Sequence, residues 1–143
     1  MKSRYAVRAL IGLAVCDEAT PGRPVRLADI AADRDMPLQF LEQVFAVLRR
    51  AGIVRSRRGA SGGYALAKPP AEITVLEVVS ALDGPPSPAD CTSGQCDRVD
   101  SCGAASVWLE AQAALEDVLG RTTIADLLER ERAACQSEPM YYI

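Results

Sequence analysis

The chain has 143 residues, 49% hydrophobic and 24% charged, with five cysteines, no histidine and a net charge of −3. Such a composition is ordinary for a globular domain that needs no covalent staples, and no apolar run approaches the about 20 residues required to cross a membrane. The lack of histidine excludes histidine-based triads, Cys2His2 zinc and histidine-ligated haem, and an odd cysteine count argues against a disulfide framework.

The N-terminus, Met-Lys-Ser-Arg-Tyr, has no signal-peptide layout, so a cytoplasmic location is expected. Charge is unevenly spread. Residues 1 to 68 hold 12 Lys and Arg against 6 Asp and Glu, a balance of +6, while residues 69 to 143 hold 4 against 13, a balance of −9. Phosphate binding depends on local charge, so the basic half suits nucleic acid even though the whole chain is acidic.

Taken in order, Tyr5 to Val15 reads as a first helix with Lys2, Arg4 and Arg8 at its early polar positions, and Cys16 near its end reads as a small buried hydrophobe. Thr20-Pro-Gly-Arg-Pro24 is a break. Val25 to Ala32 reads as a short second helix with Leu27, Ile30 and Ala31 inward, and Asp33-Arg-Asp35 as a turn. A third helix follows, with Pro37 at its first position and Gly52 just past its end. Leu38, Leu41, Val44, Phe45 and Leu48 make its apolar stripe; Gln39, Glu42, Gln43, Arg49 and Arg50 lie off that stripe.

Two short β-prone runs come next, Ile53 to Ser56 and Tyr64 to Leu66, flanking the basic, glycine-rich tip Arg57-Arg58-Gly59-Ala60-Ser61-Gly62-Gly63. A helix with a polar outer face followed by a hairpin with arginines at its tip is the outline of a winged helix-turn-helix. The helix suits a major groove and the wing suits phosphates or the adjacent minor groove. Ile73 to Leu82 is β-branched, yet Thr74 with Glu77 matches a capping box and Val75, Val78, Val79 and Leu82 form a stripe, so it reads as helix.

Asp83 to Ser101 has no periodicity, and it carries Cys91 and Cys96 with Cys102 at its end. Thiolates gathered in this way hold a soft metal or an iron–sulfur cluster, and Gly94 and Gly103 allow tight backbone turns. Three cysteines leave a four-ligand site incomplete, so a fourth ligand comes from Asp90, Asp97 or Asp100, from a partner subunit, or from outside. Four readings of the spacing stay open: a cluster, a Cys3Asp zinc site, a thiol redox switch, and inert loop cysteines.

Ala104 to Leu119 then reads as a long helix ended by Gly120, with Trp108, Ala111, Leu115 and Val118 as a stripe flanked by Ala104, Val107 and Ala114, suited to a partner's copy. Thr122 or Thr123 caps a last short helix, Ile124 to Arg130.

The expected fold is therefore mainly α with a small β-hairpin wing: a winged helix-turn-helix plus a long C-terminal dimerisation helix. Its parts are a DNA-binding domain over 1–83, a cysteine-containing loop over 84–103, the dimerisation and terminal helices over 104–134, and a tail over 135–143. No nucleophile–base pair is visible and the wing lacks a P-loop ending, so no enzyme is expected. A small iron–sulfur electron carrier would leave the basic wing without a purpose.

Specific motifs run through nearly the whole chain: R-Y-A-V at 4–7, L-A-D-I-A at 27–31, F-L-E-Q at 40–43, L-R-R-A-G-I-V at 48–54, S-R-R-G-A-S-G-G-Y-A-L at 56–66, E-I-T-V-L-E-V at 72–78, and the three cysteines followed by Trp108. With these the chain resembles the IscR/NsrR-type winged-helix regulators of the Rrf-two superfamily. The resemblance implies a homodimer on a double-stranded DNA operator, its long helices crossed at the interface. It also implies a [2Fe–2S] or [4Fe–4S] cluster held by Cys91, Cys96 and Cys102, whose state reports iron, oxygen, nitric oxide or redox supply through operator affinity.

By position, the resemblance makes Gln39, Glu42 and Arg58 base readers, with Arg49, Arg50, Arg55 and Arg57 on phosphate. The chain departs from the pattern at two ligand positions. Ala105 stands where some members have a histidine ligand, and Arg4 stands where others have an acidic one. The gap between the first two cysteines is also one residue short. Some members carry no cluster, so a cluster-free thiol-redox or small-effector repressor of the same fold is the alternative.

Overall fold

The computed structural model describes residues 1–137, in the order α1 Ser3–Ala19, α2 Leu27–Asp33, α3 Leu38–Arg50, β1 Val54–Arg57, β2 Gly63–Leu66, α4 Val75–Asp83, α5 Ala105–Arg121 and α6 Ile124–Ser137. Met140, Tyr141 and Tyr142 lie outside the described residues. The expected six-helix winged fold is present, with a two-stranded antiparallel hairpin pairing Val54 with Leu66 and Arg57 with Gly63.

Helix α1 is the central post. Ala6, Ala9, Leu10, Leu13 and Ala14 are buried, and α2, α3, α4, α6 and β2 all pack against it. It is longer than its apolar run predicts because both its ends are held by tertiary partners. The first-turn amides of Lys2 and Ser3 donate to the two carboxylate oxygens of Asp83, at the far end of α4. Burial pushes the Asp83 carboxyl up, but the hydrogen bonds from Ser3 and Lys2 outweigh it and hold it below the usual carboxylate range. At the other end Glu18 pairs with Arg132 of α6.

The turn between α2 and α3 closes with the Met36 amide on the Ala31 carbonyl, and Asp35 takes the left-handed conformation (φ 51°) usually left to glycine. Val25, expected in α2, lies outside it. Its amide and carbonyl pair with Tyr64 of β2 instead, at 2.8 Å each, a contact no local pattern signals.

Helix α3 ends as its sequence predicts. The Ile53 amide bonds the Leu48 carbonyl, the Gly52 amide bonds Arg49, and Gly52 has φ 75°. This is a Schellman motif, with Leu48 and Ile53 as its fully buried apolar pair. Pro37 stands one residue ahead of the helix with extended ψ. Leu38, placed on the core stripe by periodicity, is 40% exposed. As the first helical residue it leans toward the preceding turn, away from the core. Phe40 packs in edge to face on Tyr5.

Thr74 caps α4 by accepting from the Glu77 amide, but the box is only half made. The Glu77 carboxylate turns away to Lys68, whose Nζ lies 2.7 and 2.8 Å from its two oxygens. Gly120 does not stop α5, which runs on to Arg121, with Leu76 of α4 3.5 Å from where a Gly120 Cβ would stand. Thr123 and Asp126 then cap each other's amides at the start of α6.

Helix α6 extends past the expected Arg130 to Ser137 and folds back onto α1, with Ile124 and Leu128 in the core. Arg34 lies across Gly12, where a Cβ would sit 3.0 Å from its Nε, and reaches Glu131 of α6. Among the described residues no helix is long and apolar enough to cross a membrane.

Candidate DNA interface and cysteine loop

On α3 the core side is Leu41, Val44, Phe45 and Leu48, all buried, so Gln39, Glu42, Gln43, Arg49 and Arg50 are left exposed on the opposite face. The wing is fixed to this helix in two ways. Phe45 meets Tyr64 of β2 edge to face at 5.1 Å, and Arg49 Nη1 donates to Ser56 Oγ of β1 at 3.3 Å. Strand alternation puts Arg55 and Arg57 on the other face of the hairpin from Ser56. There they line a shallow cleft with Gly22 and Pro24, and Arg55 Nη2 lies 3.1 Å from where a Gly22 Cβ would stand.

The predicted arginines thus fall into two groups, Arg49 and Arg50 with the helix, and Arg55 and Arg57 on the outer wing face. Arg58 is exposed at the tip and makes no ion pair or side-chain hydrogen bond among the described residues. The tip itself requires glycine. A Cβ on Gly62 would stand 2.2 Å from the Arg57 carbonyl oxygen, and one on Gly63 would stand 2.3 Å from that of Val25. Arg26, a cation that sequence reading does not single out, reaches this tip by donating to the Ala60 carbonyl at 3.1 Å. Its only signal in the sequence is the positive balance of the first half.

The cysteine loop hangs between α4 and α5. It is organised by two single 3-10 turns, Asp90–Thr92 and Val99–Ser101, and the first packs on α5. Thr92 Oγ1 donates to the Ala89 carbonyl at 2.7 Å and shares a hydrogen bond with Ser87 Oγ at 2.8 Å; Gly94 takes φ 75°. Cys91 and Cys96 are half-buried and Cys102 is exposed. The carbonyl of Cys102 accepts from the Ala105 amide at the opening of α5. Asp90, Asp97 and Asp100 are exposed.

Among the described residues no three Cys, Asp or Glu side chains converge as a metal site, so this conformation does not gather the cysteine set. The donor chemistry does fit an iron–sulfur cluster: three thiols free of disulfides stand on one short, glycine-bearing loop. Cys16 is half-buried at a cleft rim near the wing rather than in the core, and Cys135 is exposed on α6, so neither belongs to that loop.

Helix α5 has two sides. Ala105, Gln112, Glu116, Leu119 and Gly120 are turned toward their own domain, with Gln112 Nε2 on Glu116 Oε1 at 2.8 Å. Val107, Trp108, Leu109, Ala111, Leu115 and Val118 are exposed, Trp108 at 43% and Val118 at 46%.

A polar helix face beside a basic wing, set by a turn on a buried helical core, defines a winged helix-turn-helix DNA-binding protein. The family of iron-dependent transcriptional regulators designated Rrf2 matches residues 1–130, and the chain belongs to that family. It is similar to the HTH-type transcriptional regulator IscR of Escherichia coli, 37% identical over 131 residues that span 91% of this chain and 79% of IscR.

Among solved structures, T. potens IscR superposes with a TM-score of 0.75 at 34% identity, covering 99% of this chain and 94% of that one. CymR of B. subtilis, described as its global cysteine regulator, superposes with a TM-score of 0.71 at 31% identity, covering 91% and 95%. These relatives are transcriptional regulators, not enzymes.

Proposed function

We propose that this chain is a cytoplasmic, homodimeric transcriptional regulator whose operator affinity is controlled by an iron–sulfur cluster, [2Fe–2S] or [4Fe–4S], held by Cys91, Cys96 and Cys102. The observation that carries this reading is the position of the cysteine loop, which connects the wing-bearing domain to the exposed apolar side of α5. A bound cluster supplies a centre sensitive to iron and redox supply. The chain's own part is to tie that loop to α5, through the 90–92 turn and through Cys102 at the helix start. A second copy of α5 would cover Trp108, Leu115 and Val118. Each copy would then present one α3 to a major groove, with Gln39, Glu42 and Arg58 reading bases and Arg49, Arg50, Arg55 and Arg57 on phosphates.

Purification without oxygen, followed by visible absorbance and iron and sulfide analysis, tests the cluster. A brown protein with acid-labile sulfide that turns colourless when Cys91, Cys96 and Cys102 are all replaced by Ala is the expected result. Retained colour in the triple variant would mean other ligands. One observation favours a second reading, a cluster-free thiol-redox or small-effector repressor: CymR, described as a global cysteine regulator, is among the similar structures. A protein still colourless after reconstitution, with operator binding unchanged in the triple variant, would select that reading.

A further inference from the structure

The wing of this protein is a glycine-rich tip held from outside. Gly59, Gly62 and Gly63 lie within seven residues, and one backbone turn bond, from the Gly62 amide to the Gly59 carbonyl, closes the tip from within. Such a segment loses much conformational freedom when it is ordered, and a loop ordered before binding avoids that cost at the DNA. Besides the contacts of the strands with α3, two external ties are present. At the base, Val25 and Tyr64 exchange both backbone hydrogen bonds, an approach that only Gly63 permits. At the tip, the Arg26 guanidinium donates to the Ala60 carbonyl across 34 residues of chain. Between wing, α2 and the end of α1 is an open cleft of about 550 Å³, lined by Arg23, Thr20 and Ser61 among others, and the Arg26–Ala60 hydrogen bond spans it. Arg58 stands two residues before Ala60.

We propose that Arg26 is a positioning residue for DNA recognition: it holds the wing tip across the cleft so that Arg58 is presented in its binding register. The role rests on the reading of Arg58 as a DNA contact. Arg26 acts through the wing rather than through a phosphate of its own, so its effect depends on Arg58 being present.

The test is a double-mutant cycle with a DNA-free control. The duplex is one that the wild-type protein selects from a randomised pool, with a random duplex of equal length beside it. Arg26→Ala is expected to weaken the selected duplex by about tenfold, the size of one hydrogen bond to a charged group, with an unchanged melting temperature. In an Arg58→Ala background the same change is expected to have less than about a twofold effect, because the two residues act as one unit. Additive losses, or no loss in the first case, overturn the proposal. Without DNA, hydrogen exchange at the Gly62 amide should be faster in Arg26→Ala than in wild type; equal rates overturn it as well. If the wild-type protein selects no duplex, the reading of Arg58 fails, while the exchange measurement still decides whether Arg26 orders the wing.

Discussion

At the scale of single residues, the wing depends on two adjacent glycines for different reasons: Gly62 clears the backbone of its own turn, and Gly63 clears Val25 on the way into α2. A Cβ 2.2 Å from a carbonyl oxygen has no rotamer to relieve it, so Gly62→Ala must move the backbone of the tip. The expected outcome is a folded protein with an unchanged circular dichroism spectrum and at least about tenfold weaker operator binding. Unaltered operator affinity would mean the wing does not touch DNA.

Asp83 is the other residue whose role is set by geometry. Its carboxylate caps α1, and because its pKa is lowered its contribution is complete above the usual value of 3.8 and fades as pH falls through the lower folded value. Asp83→Asn should cost about 0.5 kcal/mol at neutral pH, the low end for a cap because the site is open to solvent. The difference from wild type should close in acid. Thermal melts of both proteins from pH 7 down to pH 2 check this, and a gap independent of pH would exclude the carboxylate as its source.

At the scale of elements, α5 differs from the rest of the molecule. Only Ala105 on it is buried, while Trp108, Leu115 and Val118 face outward. Leu115→Glu should therefore leave the fold of the monomer alone and dissociate the proposed dimer, read as a halved mass in sedimentation and a red-shifted Trp108 emission. A dimer that survives the charge would place the interface elsewhere.

Helix α6 behaves in the opposite way. The sequence suggests a last short helix over Ile124 to Arg130 with Leu127 and Leu128 inward; Leu128 and Ile124 do complete the core beneath α1, Leu127 packs against it half-buried, and Arg34 and Glu18 pair with Glu131 and Arg132. The apolar periodicity of α6 was legible; the surface that receives it was not, because that surface is built from α1, more than 100 residues earlier.

At the scale of the whole molecule, the basic half and the acidic half play different parts. The arginines from Arg49 to Arg58 lie on α3 and the wing, while the acidic balance is spread over α4, the cysteine loop, α5 and α6. Non-specific DNA binding should therefore fall steeply with salt, and Arg50→Ala should lower the slope of log affinity against log salt by about one while weakening selected and random duplexes alike. Arg58→Ala should weaken the selected duplex more than the random one. Equal behaviour of the two variants would contradict the separation of base reading from phosphate binding.

By itself the sequence determined what depends on neighbours in the chain. The apolar repeat of α3, the Gly52 stop, the glycine-rich hairpin and the Thr74 cap are short-range features, and each is present in the structure. Three cysteines on one loop were equally plain. Contacts between distant segments were decided only by tertiary packing: Val25 against Tyr64, Asp83 over the first turn of α1, Arg26 on the wing tip, and α6 across α1. The physical reason is that a hydrogen-bond donor or an apolar face specifies the kind of partner it needs, while the path of the chain decides which partner arrives.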